Sequence, residues 1–304
     1  VGFYSAFMVA ESIKVISRSY RPEAEAVSWF STGADTFSIE PAEKADRGTT
    51  VIVKLKEDAT EFLEDYRLRQ ILHKHSDYIA FPIYLGDSKE QINHQTALWR
   101  QQPREVKENE YEEFYKQLTL DADKPLIHAH LAVDAPVQLY ALLYIPSNKE
   151  RGVFSLRRED GLKLYARKVL IQEYCKDLLP EYFRFVQGVV DTEDLPLNVS
   201  RETVQANKIM AQLKKIITTK VTDMLSTLAK EDEDKYNTFW QAFGRYLKEG
   251  IATDLTSAES LYPLLRFRTL HAPDKWRSLD QYLEGKKEGQ DKIYYILGDD
   301  IRSI

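Results

Sequence analysis

DTEDLPLNVSRETVQ, residues 191–205, is the stretch that decides how this chain is read. A Leu-Pro-Leu segment of buried character leads into a helix whose first residue is an arginine. Ser200 suits the N-cap, because its oxygen can accept from the unpaired N–H groups of the first turn. Arg201 then takes the first helical position, where a cation faces the positive end of the helix dipole at a cost of about 0.3–1 kcal/mol. A helix that breaks this rule raises the question of which anion the arginine meets. Asp191, Glu193 or Asp194, just upstream, is the local answer. A phosphate delivered from elsewhere is the alternative, since a guanidinium stabilises charge developing on a transferring phosphoryl group. The residue types alone leave both open.

Composition narrows the class. A length of 304 residues is about two domains' worth. A hydrophobic content of 43% can bury real cores, and a net charge of −6 favours solubility over a general nucleic-acid or membrane-surface role. The most apolar run, 137–145, is interrupted by Gln138 and is far shorter than the ~18 residues of a membrane span. Cys175 is the only cysteine, so no intramolecular disulfide forms, which suits a reducing compartment. It reads as an incidental semi-buried thiol. His73 and His75 point to different helix faces. His128 and His130 share a strand face but bring no further ligands, so no metal site is expected.

DLPLNVSRE followed by Gln205 and Asn207-Lys208 resembles the middle domain of the ninety-kilodalton heat-shock chaperone family, called HtpG in bacteria. Gly2-Phe3-Tyr4-Ser5-Ala6-Phe7 is similar to the end of that family's glycine-rich nucleotide lid. Arg47-Gly48-Thr49 with Val51-Ile52-Val53-Lys54-Leu55 is similar to the last strand of its nucleotide domain. Lys292-Ile293-Tyr294-Tyr295-Ile296 matches a strand near the end of its middle region. The four stretches are collinear over nearly the whole chain.

This resemblance implies a remnant of an antiparallel α/β sandwich of the GHKL ATPase type over 1–56. A two-part α/β middle domain follows, with a larger α/β subdomain (57–200), a helical connector (201–250) and a smaller α/β subdomain (251–304). It also implies a fragment of an ATP-driven chaperone that hydrolyses ATP with Mg²⁺ and dimerises through a C-terminal segment beyond residue 304. The Mg²⁺ ligands, the catalytic glutamate and the adenine-reading aspartate would all precede Val1, so the chain alone should not hydrolyse ATP. The short loop at 86–97 replaces a long charged linker of eukaryotic cytosolic members, which implies a bacterial cytoplasm, with an organellar matrix as the alternative.

By resemblance, Arg201 reaches the γ-phosphate, with Asn198 and Gln205 positioning it or a phosphate oxygen. Gly2 and Phe3 belong to the lid, and Thr49 to the floor of the adenine pocket. Trp99 is the residue expected to contact unfolded client proteins. By residue type alone, Asn198 is a loop side chain, Gln205 a helix-surface one, Thr49 a β-branched strand residue and Trp99 a partly buried tryptophan at a helix start. The family segment aligned with 149–156 usually bears aromatics. Phe154 keeps one, and Arg151 stands where another is common. Two other readings are a docking module without chemistry and an ATPase of the gyrase or mismatch-repair type. The latter uses a lysine and binds DNA, which the negative charge and the Leu-Asn-Val-Ser-Arg motif disfavour.

Periodicity supplies the elements. A helix is expected over 1–11, then strands at 13–19, 26–31, 36–40 and 50–55 forming an antiparallel sheet. A helix follows at 66–79, and a strand at 81–85. Next come a helix at 110–117, a hairpin of 126–133 with 137–145, a strand at 162–171 and a helix from Pro180. After Arg201, Ile209, Leu213, Ile216, Ile217, Val221, Met224, Leu225 and Leu228 step as one helix face. A second helix, 235–250, carries Phe239, Trp240, Phe243 and Leu247 and ends at a capping Gly250. Shorter helices at 257–265 and 278–283 and a strand at 293–297 complete the expectation.

Overall fold

Residues 2–148, 160–195 and 208–298 are described by a computed structural model. They fall into two units, Val1–Asp77 with Phe81–His94 and Tyr78–Ala80 with Gln95–Ile304.

The first unit opens on a 3-10 turn, Tyr4–Met8, followed by strands β1 (Ala10–Arg18), β2 (Ala26–Ser31), β3 (Ser38–Ala42) and β4 (Gly48–Leu55). They form one fully antiparallel sheet in the order β3-β2-β1-β4. The helix expected over 1–11 is cut short because Ala10 pairs with Leu55, and the Lys56 N–H donates to the Val9 carbonyl at 2.9 Å. Ladder pairing here outweighs a local helical pattern. Ile13 is buried, whereas Val27, Ile39, Val51 and Val53 are exposed. Helix α1 (Asp65–His75) stops four residues earlier than expected. No strand forms at 81–85. Pro82 has no N–H for a ladder, and the Ile83 N–H is taken by the side chain of Asn93.

A mixed five-stranded sheet organises the second unit: β5 (Pro125–Val133), β6 (Leu139–Pro146), β7 (Leu162–Ala166), β8 (Val169–Cys175) and β9 (Gln187–Thr192). The order is β5-β6-β9-β7-β8, with β7 and β9 parallel and the other pairs antiparallel. The continuous apolar run of β6 reflects burial on both faces. Leu139, Ala141, Leu143 and Ile145 join the larger core, and Leu142 and Tyr144 join a second core that contains Tyr111 and Tyr115 of α2 (Glu108–Thr119). On the other face lie α3 (Lys208–Glu231) and α4 (Glu233–Thr253). Leu213, Ile217, Val221, Met224, Leu225 and Leu228 of α3 are buried as the stepping pattern requires, Ile209 and Ile216 are half-buried against the same core, and Met210, outside that pattern, is buried with them. Each such side chain contributes roughly 1.5–3 kcal/mol of burial. Asp232 separates the two helices and caps α4 by accepting from the Lys235 N–H at 3.0 Å.

Several expectations change. The strand at 162–171 is a hairpin that turns at Arg167 and Lys168, both at positive φ. The helix from Pro180 reduces to a 3-10 turn, Glu181–Phe183, because β9 follows at once. Gly250 is not a C-cap. It lies inside α4, where a Cβ would come within 2.6 Å of Tyr182 Cγ. Cys175 is fully buried. After α5 (Ala258–Leu261) comes a small hairpin that was not foreseen, β10 (Phe267–Thr269) with β11 (Ala272–Arg277), then α6 (Leu279–Glu284). Residues 293–297 form no strand, and their side chains are exposed. No helix of the described residues is long and apolar enough to cross a membrane.

Candidate functional site

The expected site residues do not converge within the described residues. Asn198, Arg201 and Gln205 lie outside them, as do Arg151 and Phe154. Gly2 precedes the 3-10 turn, and its carbonyl accepts from the Ser5 hydroxyl at 2.6 Å. Phe3 is 44% exposed and sets its ring edge-on to Trp29 of β2, 5.6 Å between centroids. Thr49 sits on β4, on the other side of β1 from β2, and its hydroxyl is 2.9 Å from that of Ser17.

Trp99 is not the surface anchor expected of a client-contacting residue. It lies in a 3-10 turn, Leu98–Arg100, and is fully buried. Its indole packs edge-on to Tyr78 at 4.6 Å and against Tyr165 at 5.0 Å. The indole N–H donates to Asp191 Oδ2 at 3.0 Å. A buried indole needs such a partner, and the end of β9 supplies it.

Asp191 is the centre of this arrangement. The preceding Val189 and Val190 are core residues on opposite faces of the sheet, and Asp191 itself is fully buried. Arg100 Nε donates to Asp191 Oδ2 at 2.7 Å, and the Lys168 backbone N–H donates to Oδ1 at 3.2 Å. Arg100 Nη1 donates to Glu193, and the guanidinium lies 4.1 Å from the centre of the Tyr140 ring. Burial opposes the charge on Arg100. Hydrogen bonding and attraction to Asp191 and then Glu193 outweigh it, so its pKa lies above the usual arginine value. Arg167 Nε donates to the Glu193 carbonyl at 3.3 Å, and Asp194 accepts from the Gln138 N–H at 2.8 Å. Leu195 is buried in the main core.

The segment 191–195 is thus pinned residue by residue where it leads into the stretch carrying Arg201. The three acids offered as local partners for that arginine already have partners of their own. Arg100 was missed by the sequence reading. The one signal for Asp191 as an anchor is an acid placed directly after the apolar Val189-Val190 pair. A second missed group is in the first unit, where His73 meets Asp77 and His94.

The family model described as Hsp90 protein matches residues 87–304. Among curated relatives, the Chaperone protein HtpG of Chlorobaculum tepidum is 45% identical over 305 residues, covering 98% of this chain and 48% of the relative. The HtpG of Desulfitobacterium hafniense is 43% identical over 300 residues, with 98% and 48% covered. That of Nitratidesulfovibrio vulgaris is 45% identical over 301 residues, with 97% and 47% covered. The chain spans about half the length of the curated relatives it matches. With the family model covering well over half of its residues, and relatives of this identity aligned along almost all of it, the chain belongs to the Hsp90 family, among the HtpG chaperones.

Proposed function

We propose that this chain is the lid end and middle region of an ATP-dependent chaperone, and that Arg201 is the residue it contributes to ATP hydrolysis. In a chain of the relatives' full length, ATP and Mg²⁺ would be held by residues preceding Val1. Arg201, assisted by Asn198 and Gln205, would meet the γ-phosphate. A guanidinium suits this task because it stays charged at every working pH and offers a planar fork of donors. Gly2, Phe3 and Thr49 would border the nucleotide. The exposed Val27, Ile39, Val51 and Val53 would pack against the rest of a nucleotide domain. Unfolded proteins would be the clients, the active form a homodimer, and the compartment the bacterial cytoplasm.

The observation that carries this reading is the engagement of Asp191, Glu193 and Asp194 by Arg100, Trp99, Arg167, Lys168 and Gln138. It argues against a local carboxylate as the anion Arg201 serves, and so favours the phosphate. The test is Arg201→Ala in the full-length protein. Turnover should fall with little change in nucleotide affinity, because the contact would form mainly in the closed state. An unchanged ATPase rate removes the role.

A further inference from the structure

Helix α1 ends in His73-Lys74-His75, and Asp77 follows two residues after its last turn. The Asp77 carboxylate is largely covered, with a side chain only 10% exposed, yet two exposed imidazoles turn toward it. His73 Nδ1 is 3.2 Å from Oδ1, and His94 Nδ1 is 2.9 Å from each carboxylate oxygen. The His94 backbone N–H also donates to Oδ1 at 3.2 Å. One ligand atom from each of the three residues lies within 4.8 Å of the others.

The approach of His94 is built into the loop. Asn93 is 3% exposed, and its side chain accepts from the Ile83 N–H at 2.8 Å and donates to the Phe81 carbonyl at 3.0 Å. The Ile92 N–H donates to the Ile83 carbonyl at 2.8 Å. These bonds close the loop on itself and hold its last residue, His94, beside the end of α1. All three residues belong to the first unit.

We propose that His73, Asp77 and His94 form a binding site for a divalent transition-metal ion of the zinc class. Two imidazole nitrogens and one carboxylate oxygen are the donor set such borderline ions take, with water completing a tetrahedron. Bonds of about 2.0–2.1 Å at tetrahedral angles set neighbouring ligand atoms ~3.3 Å apart. The nitrogen-to-oxygen distances here are within a few tenths of an ångström of that. A bound ion would replace the hydrogen bonds between imidazole and carboxylate. It would clip the 81–94 loop to α1, stabilising the unit by binding only its folded form. It has no part in the ATP chemistry proposed above.

The experiment is a calorimetric titration of the chelator-stripped chain with Zn²⁺, paired with the visible spectrum of Co²⁺ added to the same protein. One ion per chain is expected, with the intense absorption of a four-coordinate Co²⁺ site and a rise in thermal midpoint that a chelator reverses. The double variant His73→Ala/His94→Ala should lose the binding, and Asp77→Asn should weaken it at least tenfold. His75→Ala should leave it unchanged. Should the double variant fail to fold, the exposed single change His94→Gln carries the test, again with at least a tenfold loss expected. No saturable binding, an octahedral-type Co²⁺ spectrum, equal affinity in the variants, or dependence on His75 would each overturn the site.

Discussion

Arg100 and Asp191 form an ion pair of 2.7 Å between a 3-10 turn and the end of a central strand, with the carboxylate wholly removed from solvent and the arginine side chain 13% exposed. The pair is separated by most of a domain in sequence, yet it fixes the residue from which the Leu-Pro-Leu stretch departs. Taking a carboxylate out of water is expensive unless its acceptor sites are met. Asp191 meets them with Arg100, the Trp99 indole and the Lys168 N–H.

Arg100→Ala should therefore destabilise the second unit by about 3–5 kcal/mol, the usual consequence of leaving a buried charge without its partner. Arg100→Lys should rescue little of this, because an ammonium cannot serve Asp191 and Glu193 as a planar fork while lying on Tyr140. Urea unfolding monitored by tryptophan fluorescence measures both. A loss under 1 kcal/mol in the alanine variant would place the anchoring elsewhere.

Trp99→Phe tests the indole donor apart from the ring. Phenylalanine keeps most of the aromatic packing on Tyr78 and Tyr165 but removes the N–H that Asp191 accepts. The expected loss is about 1–3 kcal/mol for a weakened buried acceptor. Trp99→Ala should cost more, roughly 3–5 kcal/mol, through the cavity it leaves. Equal stability of wild type and Trp99→Phe would remove the hydrogen bond from the account.

At Gly250 two physical effects have opposite signs. Helix propensity predicts that Gly→Ala inside a helix gains about 1 kcal/mol. Here the new Cβ would meet Tyr182 Cγ at 2.6 Å and Cδ1 at 2.8 Å, and Tyr182 is itself buried. Overpacking of this kind costs typically 1–3 kcal/mol. The net effect of Gly250→Ala should be destabilising. Gly250→Ala combined with Tyr182→Leu should be less harmful than the sum of the two single changes, since the pair shares one contact. A stabilised Gly250→Ala variant would show that the interface yields.

What the sequence made legible follows from how local each signal is. The stepping residues of α3, the apolar run of β6 and the alternating strands of the first sheet each announce themselves within one element. Strand β9 is hidden in the sequence because it begins with Gln187-Gly188, where Gly188 holds φ near +148° and a Cβ would collide with the Leu142 carbonyl oxygen. The turn between β7 and β8 places Arg167 and Lys168, neither a turn residue by type, at positive φ. Gly250 reads as a helix end until Tyr182 is seen against it. The pairings of Arg100 with Asp191 and of Asp77 with His94 depend on tertiary closure. His73 and Asp77 stand four apart at the end of one helix, but a buried asparagine, Asn93, brings His94 to them, and no spacing rule points to it. The motif around Arg201 is legible only through its resemblance to a family, and Asn198, Arg201 and Gln205 lie outside the described residues.

His130 makes the second unit's stability sensitive to mild acid. Its Nε2 lies 3.1 Å from the Trp99 carbonyl, which can only accept, so the neutral ring carries its proton there. Nδ1 is then an acceptor, 2.8 Å from the Tyr111 hydroxyl. Protonation turns Nδ1 into a donor and sends the hydroxyl proton toward the Pro103 carbonyl at 3.4 Å, a poorer bond. Burial is the largest effect and holds the His130 pKa below the ordinary histidine range; the hydrogen bond to the Trp99 carbonyl opposes it, and a lesser repulsion from His128 adds to it. His128, stacked on Tyr111 at 4.2 Å, is lowered too, by burial and against the attraction of Glu108. With the folded pKa below the unfolded one, the unfolded chain binds more protons in the interval between them. Stability is then full above about pH 6.5 and falls as pH drops through the folded value. His130→Gln keeps a donor for the Trp99 carbonyl and cannot titrate. It should show a smaller fall in urea midpoint between pH 7.5 and 5.5, as approximate bounds of that window, than the wild type. Carboxylates titrate alike in both proteins, so parallel curves would mean that His130 charges in the folded state without cost.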